Sequence, residues 1–145
     1  MGDDLFAHFA HSMQQDATAF VRLNHYKCPT AKMALAASKA PWYEYGYALD
    51  ARPAFTFDPL FHAGLYYVQE QSSMFLAQVL HQFVQSPVRM LDMCAAPGGK
   101  STLARLELPK GSTLVCNEPN RSRVQILNEN VQKCGHPEVM VTNNY

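Results

Sequence analysis

The chain has 145 residues, 48% of them hydrophobic and 17% charged. That is enough apolar content for one domain with a core, and too much for a disordered chain. Twelve Lys and Arg balance twelve Asp and Glu, so bulk charge lends no support to nucleic-acid binding, although a local basic stripe can sit inside a neutral total.

In chain order, the first sixty-five residues read as a small α+β unit. "LFAHFAHSM" has helical spacing with Leu5, Phe6, Phe9 and Met13 on one side. "TAFVRLN" alternates as a strand, "AKMALAAS" after Pro29 reads as a short helix, and "WYEYGYAL" is aromatic and strand-like. "AFTFDPL" alternates Phe55 and Phe57 before Pro59 stops it, which predicts another strand.

Residues 66–145 are more regular. "SSMFLAQVLHQFV" predicts a helix with Phe75, Leu76, Val79, Leu80 and Phe83 on its apolar face, capped by Ser72 or Ser73 and ended by Pro87. "VRMLDMC" predicts a buried parallel strand. A glycine-rich turn leads into a helix through "KSTLARLEL", and "STLVCNE" predicts a second strand. Asn120 is placed to cap the helix "RSRVQILNENVQKC", which buries Val124, Leu127, Val131 and Cys134 before Gly135 and Pro137 end it. "EVMVTN" predicts a third strand. The order strand, glycine turn, helix, strand, helix, strand is the first half of a doubly wound α/β sheet.

The turn "DMCAAPGGKST", Asp92 to Thr102, admits two ligands. Its "GGKST" ending suggests a phosphate loop, G-x-x-x-x-G-K-[ST]. That pattern requires glycine where Cys94 stands, and Pro97 lacks an amide to aim at phosphate. The second reading is an adenosyl ligand. Small residues at Ala95, Ala96, Gly98 and Gly99 let backbone approach a ligand closely. Glu118 lies twenty residues after Gly98 at the end of the second strand, where an acid accepts from both ribose hydroxyls. The turn is not G-x-G-x-x-G, so S-adenosylmethionine fits better than a nicotinamide dinucleotide. A tight connection with no ligand is the plain alternative, and Glu118 weighs against it.

These same residues carry a resemblance. "LDMCAAPGGKSTLA" resembles the cofactor signature of the Nol/Nop/Sun family of RNA cytosine-5 methyltransferases. "AGLYYVQEQSSMFLAQVL" resembles the segment before that signature, "NEPNRSRVQILNENVQKCG" its next motif, and "VRLN", Val21 to Asn24, a signature of its small N-terminal domain. Within the family the chain resembles the bacterial branch that modifies ribosomal RNA, with transfer RNA the other possibility. The resemblance implies a Rossmann-like S-adenosylmethionine site, with Cys94, Ala95, Ala96, Pro97, Gly98, Gly99 and Lys100 around the methionine end and Glu118 on the ribose. Where the family usually carries an Asp near adenine this sequence has Tyr145, with Asn143 and Asn144 as neighbouring substitutes.

The chemistry implied by the family is covalent. A thiolate adds to cytosine carbon 6, carbon 5 takes the methyl group, and a second cysteine assists release. Both family cysteines lie in motifs after the fourth and fifth strands, which this sequence lacks. Cys28, Cys94, Cys116 and Cys134 each read as packing residues rather than replacements. The expectation is a truncated methyltransferase, carrying the cofactor half without the catalytic half and inactive alone. A stand-alone adenosyl-ligand or RNA-binding module is the alternative, and a phosphate-loop nucleotide-binding protein a weaker one.

Two further features stay open. Lys100 either touches substrate or is a solvated first-turn lysine. Arg22, Lys27, Lys32 and Lys39, near Tyr26 and Trp42, form either an RNA-facing patch or, the favoured reading, ordinary surface charge and core aromatics. No C-x-x-C pair and no suitable histidine spacing suggest a metal. Four scattered thiols, no signal peptide and no membrane-length apolar run fit a soluble cytoplasmic protein without metal or membrane partners.

Overall fold

The computed structural model describes residues 2–14, 18–29 and 36–145. Helix α1 (Asp3–Met13) opens the chain. Strands β1 (Phe20–Leu23), β2 (Ala36–Ala40), β3 (Tyr43–Leu49) and β4 (Tyr66–Val68) form an antiparallel sheet in the order β2-β3-β1-β4. A short helix α2 (Pro59–His62) lies between β3 and β4. Helix α3 (Leu76–Phe83) then leads to strand β5 (Arg89–Asp92), helix α4 (Gly99–Glu107), strand β6 (Thr113–Asn117), helix α5 (Arg121–Cys134) and strand β7 (Val139–Thr142). Strands β5, β6 and β7 are parallel and adjacent in that order, the arrangement of half a doubly wound sheet.

Several local expectations are met for their physical reasons. Asn120 accepts from the amides of Ser122 and Arg123 and so caps α5. Gly135 takes the left-handed conformation, and its amide donates to the Val131 carbonyl. Leu127 and Cys134 are buried beneath α5, while Val124 and Val131 are half-buried.

Other expectations are corrected. "AFTFDPL" is not a strand: Phe55–Phe57 is a 3₁₀ turn. Asp58 caps the next helix by accepting from the Leu60 amide, with Pro59 at its first position. Phe55 is buried and Phe57 projects outward, so alternation here reflects a turn rather than a pleat. The predicted helix over "AKMALAAS" lies outside the described residues as far as 35, and its final positions belong to β2. The predicted α3 helix starts as a 3₁₀ turn, Ser72–Phe75, with no side-chain cap; the Ser72 hydroxyl donates to Glu70 instead. Its buried stripe is Met74, Ala77 and Leu80, leaving Phe75, Val79 and Phe83 exposed. Strand β5 is parallel as expected but not buried, because among the described residues only β6 pairs with it, and Leu91 and the adjoining Met93 are exposed. The apolar side of α1 likewise buries none of its residues.

The two sheets are joined by a tightly built contact. Buried Asn24, just past β1, donates through Nδ2 to the carbonyls of Gly64 and Cys134, both at 2.9 Å. Lys27 Nζ donates to the carbonyls of Ala63 (2.7 Å) and Lys133 (2.6 Å). A cation at the carbonyl end of α5 is also favoured by the helix dipole. Gly64 has φ +69°, and a Cβ there would lie 1.9 Å from the Lys133 carbonyl oxygen. At the far end of α4, Glu107 accepts from Tyr43 Oη (2.5 Å) on β3 and from His81 Nε2 (2.6 Å) on α3.

Two predictions follow from this packing. Gly64→Ala combines left-handed strain with a backbone clash and is expected to lower unfolding free energy by about 2–4 kcal/mol. Gly2→Ala, with no atom within 4 Å of the new methyl group, leaves chemical denaturation unchanged. For pH, burial and then Arg105 hold the His136 imidazole below its ordinary value of 6.5, against the opposing pull of Glu138. The unfolded chain therefore binds this proton first on acidification, so the stability contribution is complete above pH 6.5 and declines as pH falls below it. Thermal melts from pH 7.5 to about 5.5 should show a shallower loss in His136→Asn than in the parent chain; equal slopes would assign the loss to other groups.

Candidate functional site

The turn after β5 is held from several directions. Asp92 accepts from Ser101 Oγ at 2.7 Å and from the Cys94 amide at 3.2 Å. The Ala95 amide donates to the Asn117 carbonyl at 2.9 Å, tying the turn to the end of β6. Each carbonyl from Ala96 to Gly99 accepts from a side chain. Arg123 donates to Ala96 and Asn130 to Pro97, both at 2.7 Å. Thr102 Oγ1 donates to Gly98 at 2.7 Å and Arg22 Nη1 to Gly99 at 3.0 Å. Gly98 has φ +108°, and a Cβ on it would press on Leu127 Cδ1 at 3.3 Å, so glycine is required where α5 crosses behind the turn.

This turn forms one wall of a cavity of about 320 Å³. Asp92, Cys94, Ala95, Ala96, Pro97, Gly99 and Lys100 line that wall, and Tyr67, Val68, Gln69, Glu70 and Ser73 line the other. Gln69 is buried, and its Oε1 has no hydrogen-bond partner among the described residues. An orphaned buried amide oxygen is costly unless a bound group satisfies it.

Six of the eight residues singled out in the sequence thus share the cavity: Cys94, Ala95, Ala96, Pro97, Gly99 and Lys100. Gly98 shapes the turn without lining it. Glu118 lies at the end of β6, only 2% exposed, with Oε1 accepting from the Asn120 amide at 3.0 Å. Its Oε2 is 3.6 Å from Arg123, whose other nitrogen holds the Ala96 carbonyl. Glu118 is therefore coupled to the turn through Arg123, yet it does not reach the cavity wall. Lys100 is exposed at the cavity rim. Near the last strand, Asn143 Nδ2 is engaged with the carbonyls of Glu118 (2.6 Å) and Pro119 (2.9 Å), while Tyr145 is fully exposed.

The second wall went unassigned in the sequence. Its signal is the stretch "YVQEQSS", Tyr67 to Ser73: a glutamine and two acids or amides where a strand gives way to a helix. Periodicity assigns it to a connection, and only the fold brings it opposite the glycine turn.

Among the described residues, the basic side chains near Tyr26 and Trp42 are not all free at the surface. Arg22 is buried and Lys27 is spent on helix carbonyls. Lys39 lies over the Tyr47 ring, 5.8 Å from its centroid, and Lys32 is outside the described residues. The thiols separate clearly. Burial pushes Cys116 up to about 11 and also raises Cys134, so neither is a thiolate near neutrality. Cys28 is half-buried, and Cys94, against the packing expectation, is exposed in the cavity wall. Among the described residues no cluster of three His, Cys, Asp or Glu could hold a metal, and no helix is long and apolar enough to cross a membrane.

Comparison with known proteins gives a consistent result. The family model described as the N-terminal domain of 16S rRNA methyltransferase RsmF matches residues 1–71, and that of 16S rRNA methyltransferase RsmB/F matches residues 78–144. A ribosomal RNA small subunit methyltransferase F from Vibrio cholerae is 32% identical, over 94% of this chain and 31% of the relative. The chain thus spans under a third of that relative's length. A methyltransferase homolog protein from Pyrococcus horikoshii superposes with a TM-score of 0.75 at 24% identity, over 93% of this chain and 46% of that one, which shows the fold. NSun6 from the same organism, solved with SFG, superposes with a TM-score of 0.56 at 27% identity, over 65% of this chain and 24% of that one.

Thiol chemistry reads the cavity directly. With a small alkylating reagent at pH 7.5, Cys94 should react first and Cys28 next, with Cys116 and Cys134 protected until denaturant is added; peptide mass analysis assigns each site. Rapid native labelling of Cys116 would contradict the burial described here.

Proposed function

The chain belongs to the RsmB/F family of 16S rRNA methyltransferases, and on that premise we propose that its cavity holds S-adenosylmethionine for methyl transfer to carbon 5 of a cytosine in RNA. The single observation that carries the reading is the cavity itself, in which the small-residue turn stands opposite the Tyr67–Ser73 segment. About 320 Å³ lies within the usual range of small-molecule sites. Backbone and small side chains at Ala95, Ala96 and Gly99 allow a close approach. These residues fit the donor.

When bound, the donor supplies an electrophilic methyl group on sulfonium. The chain's own residues bind and orient it. Asp92 keeps the turn closed through Ser101 and the Cys94 amide. The family resemblance assigns Glu118 to the ribose hydroxyls; its carboxylate lies behind the cavity wall, and its tie to Arg123 connects it to the geometry of Ala96. Lys100, exposed at the rim, is our candidate for contact with the incoming nucleic acid. Ribosomal RNA is the preferred partner and transfer RNA the second choice, in keeping with the names of the matched relatives.

Covalent chemistry at cytosine carbon 6 needs a thiolate. Cys116 and Cys134 are buried and raised, and Cys94 stands in the cavity wall, where the family resemblance assigns it to the donor rather than to the base. Cys28 is half-buried in the N-terminal unit and does not line the cavity, so we assign none of the four cysteines as that nucleophile and read a binding role for this chain taken alone.

Isothermal titration should detect S-adenosylmethionine binding. Glu118→Ala should weaken it roughly ten- to hundredfold, as expected for losing a charged hydrogen-bond partner worth about 1.5–3 kcal/mol. Labelled donor should give no transfer to 16S rRNA by this chain. Absence of binding at millimolar donor would defeat the cofactor reading; robust turnover would defeat the division between donor binding and chemistry.

A further inference from the structure

Arg22 sits in the middle of β1, paired across the sheet with Gly46 on β3 and Tyr67 on β4. Its side chain is buried and crosses to the other half of the molecule. Nη1 donates to the Gly99 carbonyl at 3.0 Å and Nη2 to Thr102 Oγ1 at 2.7 Å, while the guanidinium carbon lies 5.5 Å from the centre of the Tyr67 ring. No carboxylate forms an ion pair with it among the described residues, and Nε has no partner.

This is an uneconomical way to hold two sheets together. A buried cation without an acid carries a large desolvation cost, and the first turn of a helix is the end where positive charge is disfavoured. A well-packed apolar residue would stabilise the contact better. What the guanidinium does that an apolar residue cannot is grip two defined points at once. Gly99 belongs to one wall of the cavity and Tyr67 to the other. The walls nearly touch beside it, since a Cβ on Gly99 would lie 3.3 Å from Tyr67 Cε1.

We infer that Arg22 is a positioning residue for the donor cavity, setting the separation of the Gly99 and Tyr67 walls so that ligand affinity depends on the N-terminal sheet. For its ligand this rests on the proposed function; for the wall geometry it does not. Asn24 provides the internal comparison. It joins the same two halves through Gly64 and Cys134 but touches neither wall.

The test uses the whole chain, with S-adenosylmethionine titrated into the parent, Arg22→Lys and Asn24→Ala at a temperature where each is folded by circular dichroism. Hydrogen exchange is followed in the same samples. Lysine keeps the charge but cannot fork to both acceptors. Arg22→Lys should lose affinity about tenfold or more and exchange faster over residues 99–103, with residues 131–135 unchanged. Asn24→Ala should do the reverse, exchanging faster over residues 131–135 while binding within about twofold of the parent. Should Arg22→Lys not fold, Arg22→Met, which keeps the stem and removes both donors, should give the Arg22→Lys pattern. The inference is overturned if Arg22→Lys binds like the parent with unchanged exchange over 99–103, or if Asn24→Ala loses as much affinity. A parent chain that binds no donor defeats the cofactor reading alone, and the exchange pattern still decides the role of Arg22.

Discussion

The structure depends on side-chain donors of the N-terminal sheet that reach backbone carbonyls at the ends of two helices. The last turn of α5, whose carbonyls have no partner within the helix, and the first turn of α4 both meet the stretch from Arg22 to Lys27, in and just past β1. Asn24 and Lys27 take the carbonyls of Cys134 and Lys133, and Arg22 takes that of Gly99. Gly64 lets the opposite backbone close to within contact of α5. An unpaired buried carbonyl costs about as much as a lost hydrogen bond, so one strand of the N-terminal sheet fixes how the two sheets sit.

That arrangement gives the glycine turn its shape. A turn of small residues has little side-chain packing of its own, and glycine adds backbone freedom that must be removed. Here the freedom is removed by hydrogen bonds from outside. Arg123, Asn130, Thr102 and Arg22 each hold one carbonyl between Ala96 and Gly99. The turn is thus set before any ligand arrives, which lowers the ordering cost of binding. Glu118 joins the same network through Arg123, so the two predicted contacts with an adenosyl ligand are mechanically linked although only the turn lines the cavity.

Much of this was legible in the sequence because it is local. Asn120 before α5, Gly135 after it and the glycine turn before α4 each answer to their immediate neighbours. The parallel β5, β6, β7 order follows from strand and helix alternation. What was not legible depends on distant partners. "VRLN" looks like half a strand with a surface arginine, yet Arg22 is buried because its acceptors lie at Gly99 and Thr102, some eighty residues on. Phe55 and Phe57 alternate as a strand does, but Asp58 and Pro59 start a helix and impose a turn. The face of α3 keeps Leu76 and Leu80 inward as expected, but Met74 and Ala77 pack with Tyr43 and Leu103 in place of the larger Phe75 and Phe83. The orphaned state of Gln69 was not legible, since an amide oxygen without a partner becomes visible only once its surroundings are known.

The cavity between the glycine turn and the Tyr67–Ser73 segment is the proposed methyl-donor site. Its most direct test is an amide chemical-shift titration of the isotopically labelled chain with S-adenosylmethionine, run beside one with ATP and magnesium. Saturable shifts confined to residues 67–73, 92–100 and the Glu118 region are expected with S-adenosylmethionine, and none there with ATP. Shifts that fall elsewhere, or a response of the turn to ATP instead, would contradict it.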